Sequence, residues 1–450
     1  MRSFFQDFEK DDEADINRVT KCKMHDMVHD FVQLLTENEC LIVKRVGGSE
    51  TISAQNARHL NILQVEGTKD DPSGPFSIWQ TEKLHSCFLN GNEIPLNLFT
   101  HLKRVRTLSS YDCQLEHIPE EIGMLSQLRY LNLGFNQIKD LPGTIYDLYY
   151  LQTFNIEYCE YLCGLPAQGI HKLINLRHLL NLQTSSEFRF PDGFEKLTNL
   201  RTLGIFRVHQ GNNNKLEWFK DLNQLSGALC IQIRGNVDEL QATKADLKSK
   251  KFIKELKLSA VDARIQVIEA LQPHPNLQIL HLCCRHSPTW IITLTQLRKL
   301  ALDGGDEIPI IADTDLPPIR KLPLLEELRL SSWGLKRVGF DFLGISNTTT
   351  TSIFPKLKEL RFSRCRFWEE WEDISEEQQN NTNISIFPCL EKLILYGCHK
   401  LKALPHRLLH KASSLQRVRI ESCGLLNSHY NPETGQDWIH LQYIPHVEFE

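Results

Sequence analysis

The feature that most restricts how this chain can fold is a leucine pattern, L-x-x-L-x-L, that returns along most of its 450 residues. Strict copies begin at Leu128 ("LRYLNLGFN"), Leu277, Leu297, Leu325 and Leu390 ("LEKLILYGC"). Relaxed copies begin at Ala57, Leu84, Val105, Leu151, Leu176, Leu200, Ser226, Ile253, Leu357, Leu415 and Ile444. That makes sixteen copies, spaced 20 to 33 residues apart. The fourth and sixth positions fall on one side of a strand. A single strand of this kind cannot bury its apolar side alone, so each copy must stack on the next.

This period and pattern predict leucine-rich repeats: an α/β solenoid, a horseshoe of about sixteen irregular coils over residues 57–450. The ninth residue of each copy stands where the chain leaves the strand, and its side chain must bond backbone of neighbouring coils. Asn does this well and Cys weakly. Ninth positions hold Asn92, Cys113, Asn136, Cys159, Cys365, Cys398 and Cys423. Pro119, Pro142, Pro191 and Pro405 follow the strands; lacking an N–H, they are predicted to open short helical turns on the convex side. The longer repeats at Leu325 and Leu357 carry "GISNTTTTSI" and "EDISEEQQNNTNIS", which read as convex loops. Trp368 and Trp371 are expected to pack under the second of these.

The 13 cysteines are an odd number and are expected to be thiols of a reducing compartment. A net charge of −5 gives no pull toward nucleic acid. No stretch approaches the roughly 18 apolar residues of a membrane span, and the acidic N-terminus has no signal-peptide core. The expected location is cytoplasmic.

Residues 1–46 do not repeat, and 47–56 read as a linker. Met24, Met27, Val28, Phe31, Val32 and Leu35 form one apolar stripe of a helix. Leu41–Val46 reads as a strand, so helix and hairpin-like strands resemble part of a winged-helix unit. His25, Asp26 and His29 give H-D-x-x-H, close to the zinc motif H-E-x-x-H. No third ligand follows at a usable spacing, and Asp is a methylene shorter than Glu, so no metal is assigned.

"KCKMHDMVHDFVQLLTENECLIV", then "ARHLNI", then irregular leucine-rich repeats, resembles the plant NB-ARC leucine-rich-repeat disease-resistance proteins of the coiled-coil class, as found in grasses. Met24-His25-Asp26 matches that family's Met-His-Asp motif. The resemblance implies that His25 contacts the phosphate of bound ADP and that Asp26 supports it. The chain has no G-x-x-x-x-G-K-[S/T]. The expectation is therefore no cofactor for this chain alone, with ADP/ATP belonging to the intact family, and a C-terminal portion of a longer protein. The resemblance implies a non-enzymatic defence receptor portion. Its repeats recognise a pathogen effector or a guarded host protein, and its N-terminal repeats help restrain an upstream NB-ARC region. Exposed aromatic and Arg side chains suit protein recognition. The candidate concave-face residues are Tyr130, Phe135, Tyr158, Phe206, Trp333, Arg361, Arg364, Tyr396, Arg417 and Arg419. The alternative is a generic protein-binding scaffold, such as the substrate arm of a ubiquitin ligase.

Overall fold

Apolar residues at positions one, four and six draw each copy into a coil with one short strand, and successive coils stack in chain order. The architecture comes from a computed structural model that describes residues 5–10, 19–24, 26, 28, 36, 39–43, 57–65, 83–91, 98–209, 214–235, 237–305, 319, 322–339, 352–380 and 385–450. The chain divides into two units, Met1–Tyr161 and Leu162–Glu450.

In the first unit six parallel strands follow one another: Cys40–Val43, His59–Val65, Ser86–Gly91, Thr107–Ser110, Tyr130–Asn132 and Thr153–Asn155. Leu60, Cys87, Leu108, Leu131 and Phe154 share one register line and all are buried. In the second unit ten strands, from Ile205–Val208 to His446–Phe449, pair in parallel in sequence order. Here the repeat line runs Leu256, Leu280, Leu300, Leu328, Leu360, Leu393 and Val418, again all buried. The solenoid expected from the repeat is what both units show.

The ninth positions do what their chemistry suggests. The Asn136 carboxamide oxygen accepts the backbone N–H of Cys113 and of Leu115, both at 3.0 Å. Its amide nitrogen reaches the carbonyls of Ser110, Leu133 and Gly134 at 2.7 to 3.2 Å. Cys113 and Cys159 each donate S–H to a carbonyl one coil back, Leu89 and Leu133, at 3.2 Å. Cys423 sulfur accepts the Cys398 N–H at 3.3 Å. The described cysteines are free thiols. Asn92 lies outside the described residues.

The eighth position has its own geometry. Asp112, Phe135, Tyr158, Gln183, Ser332, Arg364 and Ser422 hold φ between 49° and 59°, and Gly397 holds 65°. Only Gly adopts this left-handed region without steric cost. The tight turn out of the strand imposes it, aided by Asn132 and Asn155, whose carboxamide oxygens accept the N–H two residues on.

On the opposite side Pro119 and Pro142 open single 3₁₀ turns, Glu120–Met124 and Gly143–Asp147, and Pro405 opens the helix His406–Lys411. Of the two stretches expected as convex loops, residues 344–351 and 381–384 lie outside the described residues. Arg337–Val338 pairs with Glu370–Trp371, and Ser352–Ile353 with Ser385–Ile386, each in parallel. Glu376–Asn380 is helical. Trp368 and Trp371 are buried and pack on Phe362.

Ahead of the repeats the order of elements differs from the expected helix and hairpin. Phe5–Lys10 pairs antiparallel with Val19–Met24, so Met24 ends a strand rather than starting the apolar stripe. Asp26, Val28 and Thr36 are helical, and Met27, Phe31, Val32 and Leu35 of the expected stripe lie outside the described residues. Of the strand read at 41–46, residues 44–46 lie outside the described residues; Cys40–Val43 is a strand and lies parallel to His59–Val65. Leu41 and Val43 fall in register with Leu60 and Ile62, so the apolar side of that strand extends the repeat core. The parallel sheet thus begins at Cys40, ahead of residue 57.

Candidate functional site

In a parallel stack the positions between the buried leucines project from the strand face, and the register lines them up across coils. In the second unit position five presents Lys257, His281, Ala301, Arg329, Arg361, Ile394, Arg419 and Glu448 in one row. Position three presents Glu255, Ile279, Lys299, Glu327, Glu359, Lys392 and Arg417 beside it. The two rows interlock by charge. Lys299 meets Glu327 at 2.8 Å, and Arg329 reaches Glu327 at 3.4 Å and Glu359 at 3.6 Å. Arg361 faces Glu359 at 4.0 Å. Further along, Arg417 and Arg419 each lie 3.7 Å from Glu448, and Arg419 also contacts Glu421 and Glu450.

The cationic ends of these pairs are partly exposed, with 38% and 39% of the Arg361 and Arg419 side-chain surface accessible, whereas Glu359 keeps 16%. Exposed pairs add only about 0–1 kcal/mol each to stability. The pairs also hold guanidinium and carboxylate groups in fixed places on the strand face. Ile394 interrupts the charged row between Arg361 and Arg419, so an apolar spot sits among the ions.

Several expected residues belong to this face. Arg361, Arg417 and Arg419 stand in its rows, and Tyr396 is exposed at position seven of its coil. Arg364 occupies a left-handed eighth position at the edge, partly exposed. Two expected residues are corrected. Trp333 is 1% exposed, because it fills the ninth position of its coil, where the chain turns inward and other coils place Asn or Cys. Phe206 is 0% exposed. The strand breaks at Gly204: Thr202–Leu203 pairs backward with His178 and Leu179, while Ile205–Val208 pairs forward. That break turns Phe206 into a cluster with Phe190, Phe194, Trp218 and Phe219. Glu327, Arg329, Glu359 and Glu448 were not singled out from the sequence, although positions three and five of the repeat mark them.

The first unit presents a different surface. Tyr130 is half buried on its strand, whereas Phe135 and Tyr158 are exposed and stacked, with ring centroids 4.1 Å apart. Just before the strands runs a basic row, in which the N–H of each residue bonds the carbonyl of the one before: Arg58, His85, Arg106 and Arg129. Arg58 pairs with Glu39 at 3.4 Å. The His85 imidazole is held below its ordinary range first by desolvation, then by the charges of Arg106, Arg58, His59 and Arg104. Of the Met-His-Asp motif, Asp26 is exposed on its helix, and His25 lies outside the described residues, as does His29. Asp26 by itself is no phosphate cradle, and no nucleotide step is assigned to this chain.

Among known proteins, the family described as a leucine-rich repeat region matches residues 83–423. A putative disease resistance protein of Arabidopsis thaliana is 30% identical over 464 aligned residues, covering 94% of this chain and 30% of its own length. Disease resistance RPP8-like protein 3 of the same plant is 26% identical, covering 96% of this chain and 46% of its own. The chain therefore spans less than half the length of these relatives. A solved leucine-rich-repeat protein of Leptospira interrogans superposes with a TM-score of 0.57 at 21% identity, over 88% of this chain and 96% of its own, a likeness of fold.

Proposed function

Because this chain belongs to the leucine-rich repeat family and is similar over nearly its whole length to plant disease-resistance proteins, we propose that it is the recognition portion of a plant defence receptor. The strand face of its second unit binds a pathogen effector or a guarded host protein; the role is recognition, not catalysis. The observation that carries this reading is the double row of partly exposed, interlocked charges from Lys299 to Arg419, with Tyr396 and Ile394 among them. Charge rows of this kind steer encounter and select a partner of complementary pattern. Aromatic and Arg side chains supply the anchors.

A second part of the proposal concerns restraint. The basic row from Arg58 to Arg129 supports packing of the first unit against an acidic surface of an ADP/ATP-switched NB-ARC module in the intact receptor, where His25 and Asp26 take the family motif's nucleotide-contacting roles. Among the described residues no helix is long and apolar enough to cross a membrane, and the proposed place of action is the cytoplasm.

The test is expression of the intact receptor in leaf tissue, with cell death on pathogen challenge as the readout. Arg361→Ala combined with Arg419→Ala is expected to abolish the response at unchanged protein level. Trp333→Ala is expected to lower the protein level itself. A full response from the double Arg variant sinks the assignment of the binding face.

A further inference from the structure

The first unit carries a surface that its core does not explain. Tyr111, Phe135 and Tyr158 lie at the turns leaving three successive strands, and their rings form one stack. Tyr111 and Phe135 are 4.9 Å apart between centroids, and Phe135 and Tyr158 are 4.1 Å apart and near parallel at 24°. They keep 39%, 42% and 43% of their surface exposed. Contiguous exposed aromatic surface of this kind usually marks an interaction site.

Two further observations say that the stack is not incidental. Phe135 and Tyr158 occupy left-handed backbone, with φ of 58° and 59°, where a bulky side chain is disfavoured and the equivalent turn in another coil uses Gly397. Tyr111 lies over Gly134, where an added Cβ would stand 3.4 Å from its ring. The turn thus holds the Phe135 and Tyr158 rings outward at a backbone position that costs least with Gly.

The electrostatic surroundings give the stack a sign. After burial, the charges of Asp112, Tyr158 and Glu157, in that order, push the pKa of the Tyr111 hydroxyl upward. Glu157 acts on Tyr130 in the same direction. Glu160 is exposed on the next turn. Among the described residues the chain's own ammonium–ring contacts lie elsewhere, on Trp218, Phe252 and Phe367. Aromatic faces are negative at their centres and attract a guanidinium or ammonium group. Carboxylates beside them add to that attraction. An apolar ligand offers the neighbouring carboxylates no opposite charge, and a phosphate would be repelled.

We propose that Tyr111, Phe135 and Tyr158, flanked by Asp112, Glu157 and Glu160, dock the arginine or lysine side chains of a basic segment of a partner protein. This deepens the reading that the repeats recognise protein, and rests on it, but concerns a different unit from the charged rows.

The experiment is fluorescence anisotropy on the purified full chain with a labelled synthetic Gly–Arg repeat peptide, and a Gly–Glu peptide for comparison. The Gly–Arg peptide is expected to bind and the Gly–Glu peptide not. Phe135→Leu combined with Tyr158→Leu keeps apolar bulk but removes the ring faces, and is expected to weaken binding about tenfold. Glu157→Gln is expected to weaken it and to flatten its salt dependence. Equal binding by the Leu variant and the unchanged chain overturns the proposal, as does equal binding of the two peptides. Arg361→Ala with Arg419→Ala is expected to leave peptide binding unchanged, so failure of the second-unit reading is told apart from failure of this one.

Discussion

At the scale of single residues the coil is held by a few polar groups placed where the backbone cannot satisfy itself. Asn136 is the strongest case, because one buried carboxamide serves N–H groups and carbonyls on two coils. Asn136→Ala leaves these groups buried and unpaired, and is expected to cost about 3 kcal/mol, read as loss of hydrogen-exchange protection around Cys113 and Leu133. Asn136→Cys, which recreates the residue used at Cys159, is expected to cost less. His406 offers a second test. Its ring lies 2.6 Å from the Tyr430 hydroxyl and stacks on His440 at 4.0 Å. Desolvation, followed by His440, holds its pKa below the ordinary 6.5, against a smaller upward pull from Asp437 and Asp373. The unfolded chain therefore takes up this proton more readily than the folded one. The stability contributed by the neutral ring is present above about pH 6.5 and is lost as pH falls through the folded value. Acidification from pH 7 is expected to loosen the C-terminal coils. His406→Gln is expected to reduce that pH dependence, measured by hydrogen exchange at Arg417–Glu421.

At the scale of elements the sequence and the structure agree where period and chemistry point the same way. Leu128, Leu131 and Leu133 are buried, and Asn136 three residues further on closes the coil. The strand positions could be read because the fourth and sixth residues of each copy must share a side. Which aromatic faces outward was harder to read, because it depends on register at irregular turns. Trp333 reads as a surface tryptophan until the ninth position is counted, and Phe206 until the break at Gly204 is seen. An added Cβ at Gly204 would come within 2.8 Å of the Asn181 backbone nitrogen, which fixes the break there. Trp333→Ala is expected to cost about 3–5 kcal/mol locally. In a stack where each coil rests on its neighbours, hydrogen exchange should rise in Glu327–Ser331 and Glu359–Ser363, with the first unit unchanged. The strand Cys40–Val43 was legible as a strand but not as a repeat strand, because its coil lacks the full leucine triplet. The charged rows were only half legible: the Arg residues stand out by type, whereas Glu327 and Glu359 gain meaning only once the register sets them between Lys299, Arg329 and Arg361.

At the scale of the molecule, stacked parallel coils in each unit turn a repeated short pattern into a surface whose residues can vary without disturbing the core. The buried lines of leucines are nearly uniform from coil to coil, while positions three and five vary in charge and polarity along the row. That separation of core from surface suits recognition, and the similarity to disease-resistance proteins gives recognition a context in plant defence. The central claim is that the second unit's strand face is where the partner binds. It is tested most directly by site-specific photo-crosslinking of the intact receptor in challenged leaf tissue. A photoreactive residue is placed at Ile394, in the charged row, or at Arg407, on the helix side of the same coil. The account predicts a pathogen or host protein crosslinked from position 394, lost on Arg361→Ala with Arg419→Ala, and none from position 407. Crosslinking from 407 alone, or from 394 with the double Arg variant unaffected, would contradict it.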